Sequence, residues 1–512
     1  MHTTILAAAV GAVILQILLS LIRQLRSPLY RVGGPFLARY SSVWYALTVW
    51  KGSFPDVNVK LHEKYGKIAR YAPNRYSIND PESAKTIYGL GKSFPKSSWY
   101  TSWSIPGEWN LFADQSIQRH SQMRKLYQAP YAMSALVNYE PFVDECAALF
   151  KHRLSELTST NMAVDMRHWF QCYAFDVIGK ITYGKRIGFL DQGDDVMGVI
   201  RVLESTIDYS TMVGIYPFLH RYLFHIRSWL DGTRSTGRGF MIDFTIQRIK
   251  DAHPESKAAS ESKDMSAPAD FLSKFMTKHS NDPDNFTDFH VLSGCLANMV
   301  AGSDTTAISL SAILYYLLKN PCSMKTLQEQ IDEHSASGRL SDFPTFKESQ
   351  EMPYLQAVIK EALRLHPATG LPLERVVSEG GATISGHFFP EGSIVGINTW
   401  VAHRNKTIFG DDAEYFSPER WLKGDPHKIA AMNRYWMPFG LGSRTCIGRH
   451  VSMLEMCKLI PLLIRDFTFT LDESLVSSEW HTRTHWFTKP MDFKVKIQPR
   501  EGASSKGRKA LD

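Results

Sequence analysis

Residues 439–448 read Phe-Gly-Leu-Gly-Ser-Arg-Thr-Cys-Ile-Gly, with three glycines around one arginine and one cysteine. Its glycines let the backbone approach a flat ligand closely, because glycine has no Cβ. A helical apolar pattern follows Gly448, so Cys446 lies just before a helix N-terminus, where the dipole and amide donors favour a thiolate. A thiolate is an axial ligand of haem iron that favours O–O cleavage, and Arg444 can pair with a haem propionate.

Two other interpretations of this stretch are weaker. Gly440-Leu-Gly442 resembles the start of a dinucleotide fingerprint, but Thr445 occupies the third glycine position and no clean strand precedes it. An inert buried cysteine in a glycine-rich turn is the other alternative. The cysteine ligand of a haem remains the preferred interpretation.

Composition excludes several classes of protein. The chain has 512 residues, of which 44% are hydrophobic and 21% charged, as in ordinary globular proteins. A disordered, collagenous or coiled-coil chain would have different proportions of hydrophobic and charged residues, so these classes are excluded. The mean hydropathy of −0.21 excludes a polytopic membrane protein.

An uncharged apolar run over residues 5–22 predicts a retained transmembrane helix, just long enough for a bilayer core of ~30 Å. The basic residues follow the run, which places the remaining chain in the cytosol. A cleaved signal peptide or a helix lying on the membrane surface is the alternative. Four arginines between residues 23 and 40 and an excess of two basic residues over 500–512 account for most of the net charge of +7, so the charge does not indicate nucleic-acid binding.

The remaining pattern predicts a mainly α fold with a small β subdomain. Strand-like stretches occur at residues 67–78, 371–400 and 467–499, and residues 251–285 are typical of a surface linker. A long helix over 291–318 has one charged residue, Asp304. Its polar residues disfavour a second membrane span. The predicted organisation is an anchor at 1–22, a basic Gly/Pro hinge at 23–40, one catalytic domain at 41–499 and a disordered tail at 500–512.

The FxxGxRxCxG pattern of residues 439–448 resembles that of the cytochrome P450 family of haem-thiolate monooxygenases. Glu361-Ala-Leu-Arg364 is similar to the family's ExxR motif, and Pro418-Glu-Arg-Trp421 to its PERF segment, with Trp421 in place of Phe. The resemblance implies the cytochrome P450 fold after an N-terminal transmembrane helix. It implies haem b ligated through its iron by Cys446, and a structural network of Glu361, Arg364 and Arg420.

Residues 301–306, Ala-Gly-Ser-Asp-Thr-Thr, resemble the family's oxygen-activating motif. The resemblance implies that Asp304 and Thr305 relay protons to bound O2. A threonine that only bonds its own helix carbonyl is the alternative, more so for Thr306 than for Thr305.

The resemblance also implies a set of haem contacts besides the ligand. His120 stands where the family often has Trp, and either side chain can donate to a propionate. The predicted cofactor-binding residues are His120, Arg124, Ala301, Arg375, Phe439, Gly440, Arg444 and Cys446.

The implied activity is insertion of oxygen from O2 into a hydrophobic small molecule, and tryptophans at 99, 103 and 109 favour an apolar or aromatic substrate. Electrons would come from NADPH through a separate cytochrome P450 reductase, with cytochrome b5 as a second candidate partner, at the endoplasmic reticulum membrane. The local sequence at Tyr139-Glu-Pro-Phe142 and around Trp486-Phe487 is most similar to that of fungal enzymes of the pisatin demethylase and benzoate hydroxylase kind. A haem-thiolate isomerase or dehydratase acting on a peroxide without a reductase, and a non-enzymatic haem-binding protein, are the alternatives.

Overall fold

The computed structural model of the protein describes residues 11, 27–89, 94–160, 162–231, 236–252, 269–476 and 478–500. The predicted anchor therefore lies outside the described residues except at Gly11, and the predicted tail lies outside them except at Arg500. Among the residues described, no helix combines the length and the apolar character that crossing a membrane requires.

Helices form most of the described chain, as the sequence predicts. In chain order the α-helices are α1 (Val43–Trp50), α2 (Phe54–Tyr65), α3 (Pro81–Tyr88), α4 (Ile117–Tyr127), α5 (Met133–Leu136), α6 (Glu140–Thr158), α7 (Met166–Tyr183), α8 (Phe189–Gln192), α9 (Val199–Ile215), α10 (His220–Asp231), α11 (Thr236–Ala252), α12 (Phe271–Asn281), α13 (Asp288–Lys319), α14 (Pro321–Ala336), α15 (Phe346–Gln350), α16 (Pro353–Leu365), α17 (Thr399–Ala402), α18 (Lys406–Phe409), α19 (Pro426–Tyr435), α20 (Arg449–Asp466) and α21 (Glu473–Val476).

The strands are short and occur in the three predicted regions, apart from one two-residue strand. They are β1 (Ile68–Ala72), β2 (Arg75–Ile78), β3 (Val164–Asp165), β4 (Arg375–Val376), β5 (Ala382–Ile384), β6 (His387–Phe389), β7 (Ile394–Gly396), β8 (Phe467–Leu471), β9 (His481–Thr484), β10 (Thr488–Met491) and β11 (Lys494–Pro499). The sheets have the orders β1-β2-β7-β4, β3-β11-β8, β9-β10 and β5-β6. In the first sheet β2 pairs with β7 in parallel. Strand β1 pairs antiparallel with β2, and β4 pairs antiparallel with β7.

Helix α13 is the predicted long helix and runs through the core. It begins with a capping box between Thr287 and His290 and ends before Asn320, which Pro321 follows. It packs against α7, α16 and α20. From Thr306 to Tyr315 every side chain is buried, and this burial explains why an apolar helix of this length needs no lipid.

The predicted ion network is present, with Glu361 and Arg364 fully buried and Arg420 at its edge. Arg364 donates to both carboxylate oxygens of Glu361, at 2.9 and 2.8 Å, and Arg420 Nε donates to Glu361 Oε1 at 2.8 Å. The indole of Trp421 donates to Glu361 Oε2 at 2.9 Å, so the Trp in place of Phe adds a hydrogen bond to the network. The network joins α16 to the segment that precedes the cysteine loop.

The predicted linker over residues 251–285 is wrong for its second half. Residues 253–268 lie outside the described residues, but residues 271–281 form α12. Asp270 caps this helix by accepting from the Ser273 N–H, and Phe271, Leu272, Phe275 and Met276 are buried. These apolar positions follow a helical period that the Ser- and Lys-rich surroundings concealed.

Candidate active site

The cysteine loop is held in shape by glycine and by the backbone at the end of α3. Gly442 has φ +67°, and a Cβ there would lie 1.8 Å from the carbonyl oxygen of Tyr88. The Cys446 N–H donates to the Phe439 carbonyl at 2.8 Å, which closes the loop. Helix α20 begins at Arg449, so Cys446 lies three residues before a helix, as predicted.

Cys446 combines exposure with a dense surrounding. Its side chain is exposed, although many protein atoms lie around the thiol. This burial raises the pKa of the Cys446 thiol, against the backbone N–H groups of Gly448 and Arg449 and the Arg124 guanidinium, which favour the thiolate. The backbone N–H groups at the start of α20 therefore favour the thiolate, as expected from the sequence, but burial outweighs them in the protein chain by itself. A bound metal ion would reverse the balance, because a coordinating thiol is deprotonated.

Two glycines leave open space beside Cys446. A Cβ on Gly440 would have one neighbour within 4 Å, Leu373 Cδ1 at 3.7 Å, and a Cβ on Gly448 would have none. Phe439 is half-buried and packs on the Trp436 ring, with 6.0 Å between ring centres. A flat ligand can therefore approach the backbone on both sides of the cysteine.

A cluster of four cations borders this space: Lys96, Arg124, Arg375 and Arg444. Lys96 is 7% exposed. Burial and the neighbouring Arg375 and Arg444 lower its pKa well below the usual value. Burial also lowers the pKa of Arg444, to about 10, with Arg375 adding to the effect. Within the part of the chain that the structure describes, none of the four forms an ion pair with a carboxylate.

The hydrogen bonds of this cation cluster go to backbone carbonyls. Arg444 Nη1 donates to the Asp114 carbonyl at 2.7 Å and Arg375 Nη1 to the Glu374 carbonyl at 2.8 Å, while Lys96 donates to the Phe112 carbonyl. Buried cations at close quarters repel one another, so the cluster needs an anion to balance it.

His120 lies at the edge of the cation cluster and is buried. Burial and the charges of Arg444, Lys96 and Arg124 lower its pKa to about 3. His120 is therefore a neutral imidazole at neutral pH and offers an N–H donor without charge.

A thiol, an open glycine-lined loop and unbalanced cations match the requirements of haem. The thiol supplies the iron ligand, the glycines leave room for the ring, and the cation cluster fits its two carboxylates. The predicted residues Arg124, Arg375, Arg444 and Cys446 all belong to this set. Lys96 was missed, because a single lysine among small and aromatic residues gives no signal in the sequence.

Helix α13 supplies the second side of the site. Ala301 is exposed and Thr305 half-buried, whereas Ser303, Asp304 and Thr306 are buried, so Ala301 and Thr305 lie on the open side of this part of the helix. Thr305 Oγ1 donates to the Ala301 carbonyl at 2.8 Å, whereas Thr306 Oγ1 lies 3.0 Å from Ser452 Oγ on α20. Thr305 presents its hydroxyl to the open side, and Thr306 ties α13 to α20.

The Asp304 carboxylate is buried against α7 and β10 rather than on the open side of α13. Asp304 is 2% exposed, and Gln171 on α7 donates to its Oδ1. Lys489 Nζ on β10 lies 2.8 Å from Oδ2. The acid of the predicted proton relay thus accepts a hydrogen bond at Oδ1 and lies at ion-pair distance from a lysine at Oδ2, and no pattern in the sequence indicates Lys489.

Five aromatic rings form a cluster over this region: Trp99, Tyr100, Trp103, Phe112 and Trp486. Trp486 lies 4.9 Å from Trp99, 5.7 Å from Trp103 and 6.0 Å from Phe112 between ring centres. Trp109, which we expected to join Trp99 and Trp103 in contacting the substrate, instead donates its indole N–H to Asp114 Oδ2 at 2.7 Å.

Comparison with known proteins agrees with this geometry. The family model described as Cytochrome P450 matches residues 35–496. Two proteins named pisatin demethylase, both from Fusarium vanettenii, are 37% identical over 474 residues and 38% identical over 476 residues. Each comparison covers 93% of this chain, and 89% and 91% of the two relatives. A cytochrome P450 monooxygenase from Aspergillus terreus is 36% identical over 449 residues, covering 86% of this chain and 90% of its own length.

Proposed function

The chain belongs to the cytochrome P450 family of monooxygenases, and from that premise we propose that it oxidises a hydrophobic, aromatic small molecule with O2. The electrons come from NADPH through a separate reductase. The substrate is a fungal secondary metabolite or a xenobiotic. The observation that carries the proposal is that Arg124, one of the cation cluster, lies near the Cys446 thiol, while α20, the helix after the cysteine, contacts α13 through Ser452 and Thr306 at 3.0 Å.

Haem, when bound, supplies oxygen activation through its iron. Cys446 would supply the thiolate that binds the iron. Lys96, Arg124, Arg375 and Arg444 would hold the two carboxylates of the group. His120 adds a neutral donor, and Phe439, Gly440 and Ala301 border the ring.

Proton transfer is assigned to Asp304 and Thr305. The Thr305 hydroxyl lies on the open side of α13 and can exchange its bond to the Ala301 carbonyl for a bond to water or substrate oxygen. Asp304 collects protons from solvent and passes them toward Thr305 through water, and it ends each cycle as the carboxylate.

The aromatic cluster is assigned to substrate binding. Its rings give a wall of large apolar area, and Leu371 is buried in the same apolar cluster. Two relatives carry the name pisatin demethylase, and the proposal extends only the hydrophobic character of such a substrate to this chain.

The electron-transfer partner is assigned to the side of the cysteine ligand. Lys125, Arg434 and Arg449 are exposed there and provide a basic surface for an acidic reductase. The NADPH–cytochrome P450 reductase is the proposed partner, with cytochrome b5 as a second one.

The membrane is assigned to the face that follows the predicted anchor. Phe36, Leu37 and Trp50 are 72%, 57% and 64% exposed, and Phe218 and Trp229 are 71% and 80% exposed. Helix α9 contacts both α1 and the segment Pro217–Leu219, which brings these apolar groups to one region. This arrangement supports contact with a membrane. The proposal further includes an anchor at residues 1–22, a hinge at 23–40, a catalytic domain at 41–499 and the endoplasmic reticulum as the membrane.

The test is expression of the full chain with a fungal reductase in a host supplied with terpenoid, polyketide and indole precursors. We expect an oxidised product by mass spectrometry that depends on NADPH and reductase. The reduced protein with carbon monoxide should give the thiolate-type difference spectrum, and Cys446→Ser should lose it. Product formation from an organic peroxide with neither NADPH nor reductase would instead favour a peroxide isomerase or dehydratase.

A further inference from the structure

The hairpin of β9 and β10 carries three cationic or ionisable groups that bind acids on other elements. Lys489 Nζ lies 3.0 Å from Glu204 Oε1 on α9 and 2.8 Å from Asp304 Oδ2 on α13. Arg483 Nη2 lies 3.4 Å from Asp208 Oδ2, and His485 Nδ1 bonds Asp208 Oδ1. The hairpin therefore connects the substrate side of the fold to the acid of the proposed proton relay.

Helix α9 meets the hairpin along one face. Glu204 and Asp208 are four residues apart and lie on the same side of the helix. Glu204 also lies 3.6 Å from Arg167 Nη2 on α7. A displacement of α9 is thus transmitted to the hairpin through two acids rather than one.

Lys489 divides its interaction between two carboxylates unequally. Its directed hydrogen bond goes to Glu204, at 3.0 Å. The contact with Asp304 Oδ2 has ion-pair distance, but within the described chain Oδ2 has no donor aligned with it. A movement of the hairpin toward α9 therefore lengthens the Asp304 contact while it keeps the Glu204 bond.

The turn of the hairpin reaches the aromatic cluster. Trp486 lies three residues before Lys489, with its ring among Trp99, Trp103 and Phe112. The Thr488 N–H donates to the Ala368 carbonyl at 2.9 Å and the Gly370 N–H to the Trp486 carbonyl at 3.0 Å. A ligand that displaces the Trp486 ring therefore acts directly on the backbone that carries Lys489.

We propose that Lys489 is a positioning residue that couples occupancy of the aromatic cluster to the freedom of the Asp304 carboxylate. This inference rests on the proposed function, because it takes Asp304 as the proton relay. Without ligand, Lys489 and Gln171 hold the carboxylate away from Thr305. A ligand against Trp486 moves the hairpin, Lys489 stays with Glu204, and Asp304 turns toward Thr305. Each proton that Asp304 then passes on comes from solvent water, and the carboxylate is regenerated.

The experiment uses the full-length, cofactor-loaded protein and the variants Lys489→Met, Asp304→Asn and the double variant. Lys496→Met on β11 is the matched control, because its exposed side chain lies outside this network. The first measurement is NADPH oxidation with reductase and O2 but no substrate. The second is hydrogen–deuterium exchange at residues 301–306 with and without phenylimidazole, an aromatic probe that enters the site.

We expect substrate-free NADPH oxidation to rise about tenfold in Lys489→Met, since proton delivery no longer waits for a ligand. The double variant should return to the rate of Asp304→Asn. Phenylimidazole should alter exchange at residues 301–306 in the wild type and in Lys496→Met, but not in Lys489→Met, where the hairpin should still respond.

Three results would overturn the inference, and they differ from one another. If Lys489→Met only lowers the melting temperature, with rate and exchange response unchanged, Lys489 is structural. If Asp304→Asn slows oxidation but Lys489→Met does not affect it, Asp304 acts without Lys489 and the proposed function stands. If Asp304→Asn leaves oxidation at the wild-type rate, the proton role of Asp304 fails as well.

Discussion

His403 Nε2 accepts a hydrogen bond from the backbone N–H of Met437 at 2.9 Å, two residues before the cysteine loop begins. Its Nδ1 donates to the Arg364 carbonyl at 2.9 Å, so both partners fix the neutral tautomer. His403 is fully buried and joins the Glu361 network to the loop that carries Cys446. Burial and the Arg364 charge lower its pKa to about 3.

Because the pKa of His403 is lower in the folded chain than in the unfolded chain, we expect the fold to lose stability in acid. An unfolded histidine titrates near 6.5, so between about pH 6.5 and 3 the unfolded chain binds a proton that folded His403 does not. Stability is therefore fully present above about pH 6.5 and falls with pH by about 1.4 kcal/mol per unit for each such group. His62 and His366, both with a pKa of about 4, act in the same direction.

Urea unfolding of the loaded protein at several pH values measures this slope. His403→Gln keeps an acceptor and a donor but does not titrate, so its slope should be shallower by one proton while those of His62 and His366 remain. An unchanged slope would contradict the role given to His403.

Glu361 should be among the least replaceable residues outside the cofactor site. Glu361→Gln leaves Arg364 buried without a countercharge, whereas Arg420 keeps Asp412, and the change should cost about 3–5 kcal/mol of unfolding free energy. Trp421→Phe removes one hydrogen bond to the same carboxylate and should cost about 1 kcal/mol. Equal effects in the two variants would show that packing, and not charge, governs this network.

Gly442→Ala should prevent correct assembly of the cysteine loop, because the added Cβ would overlap the Tyr88 carbonyl. Gly338 has a similar φ of +70° and nothing within 4 Å of its Cβ position. Gly338→Ala therefore measures the cost of the backbone angle alone, about 1 kcal/mol. We expect Gly442→Ala to lose the thiolate-type spectrum and Gly338→Ala to keep it.

Lys96→Met should have opposite effects on the two forms of the protein. Removing one of four clustered cations relieves repulsion without cofactor, so the cofactor-free chain should unfold at an equal or higher temperature. With cofactor, one charge-assisted bond to a carboxylate is lost, and haem should transfer to a capturing globin about tenfold faster. Faster loss together with a less stable cofactor-free chain would mean that Lys96 serves packing.

Thr305→Ala and Thr306→Ala separate proton delivery from packing. Thr305 faces the open side, so its loss should divert most electrons from product to peroxide with little change in melting temperature. Thr306 bonds Ser452, so its loss should lower the melting temperature and leave the product yield per NADPH nearly unchanged. The reverse pattern would assign the hydroxyl role to Thr306.

Local patterns predicted what depends on neighbours in sequence. The cysteine loop, the start and end of α13 and the Glu361–Arg364 pair each follow from spacing within a few residues. Lys96, His403 and Lys489 escaped prediction because their partners come from distant parts of the chain. Asp304 depends on both local and distant residues. Its isolation as the one charge in an apolar helix indicated a function, but the direction of its carboxylate depends on Gln171 and Lys489, which are distant in sequence.

The cation cluster also has a consequence for the amount of this protein in a cell. Until haem occupies the site, mutual repulsion of Lys96, Arg375 and their neighbours weakens the contacts that join the cysteine loop to the β subdomain. Binding then stabilises the native chain by mass action. Proteases act preferentially on the less stable chains that have not acquired haem, so we expect the amount of enzyme to fall when iron or porphyrin is limiting.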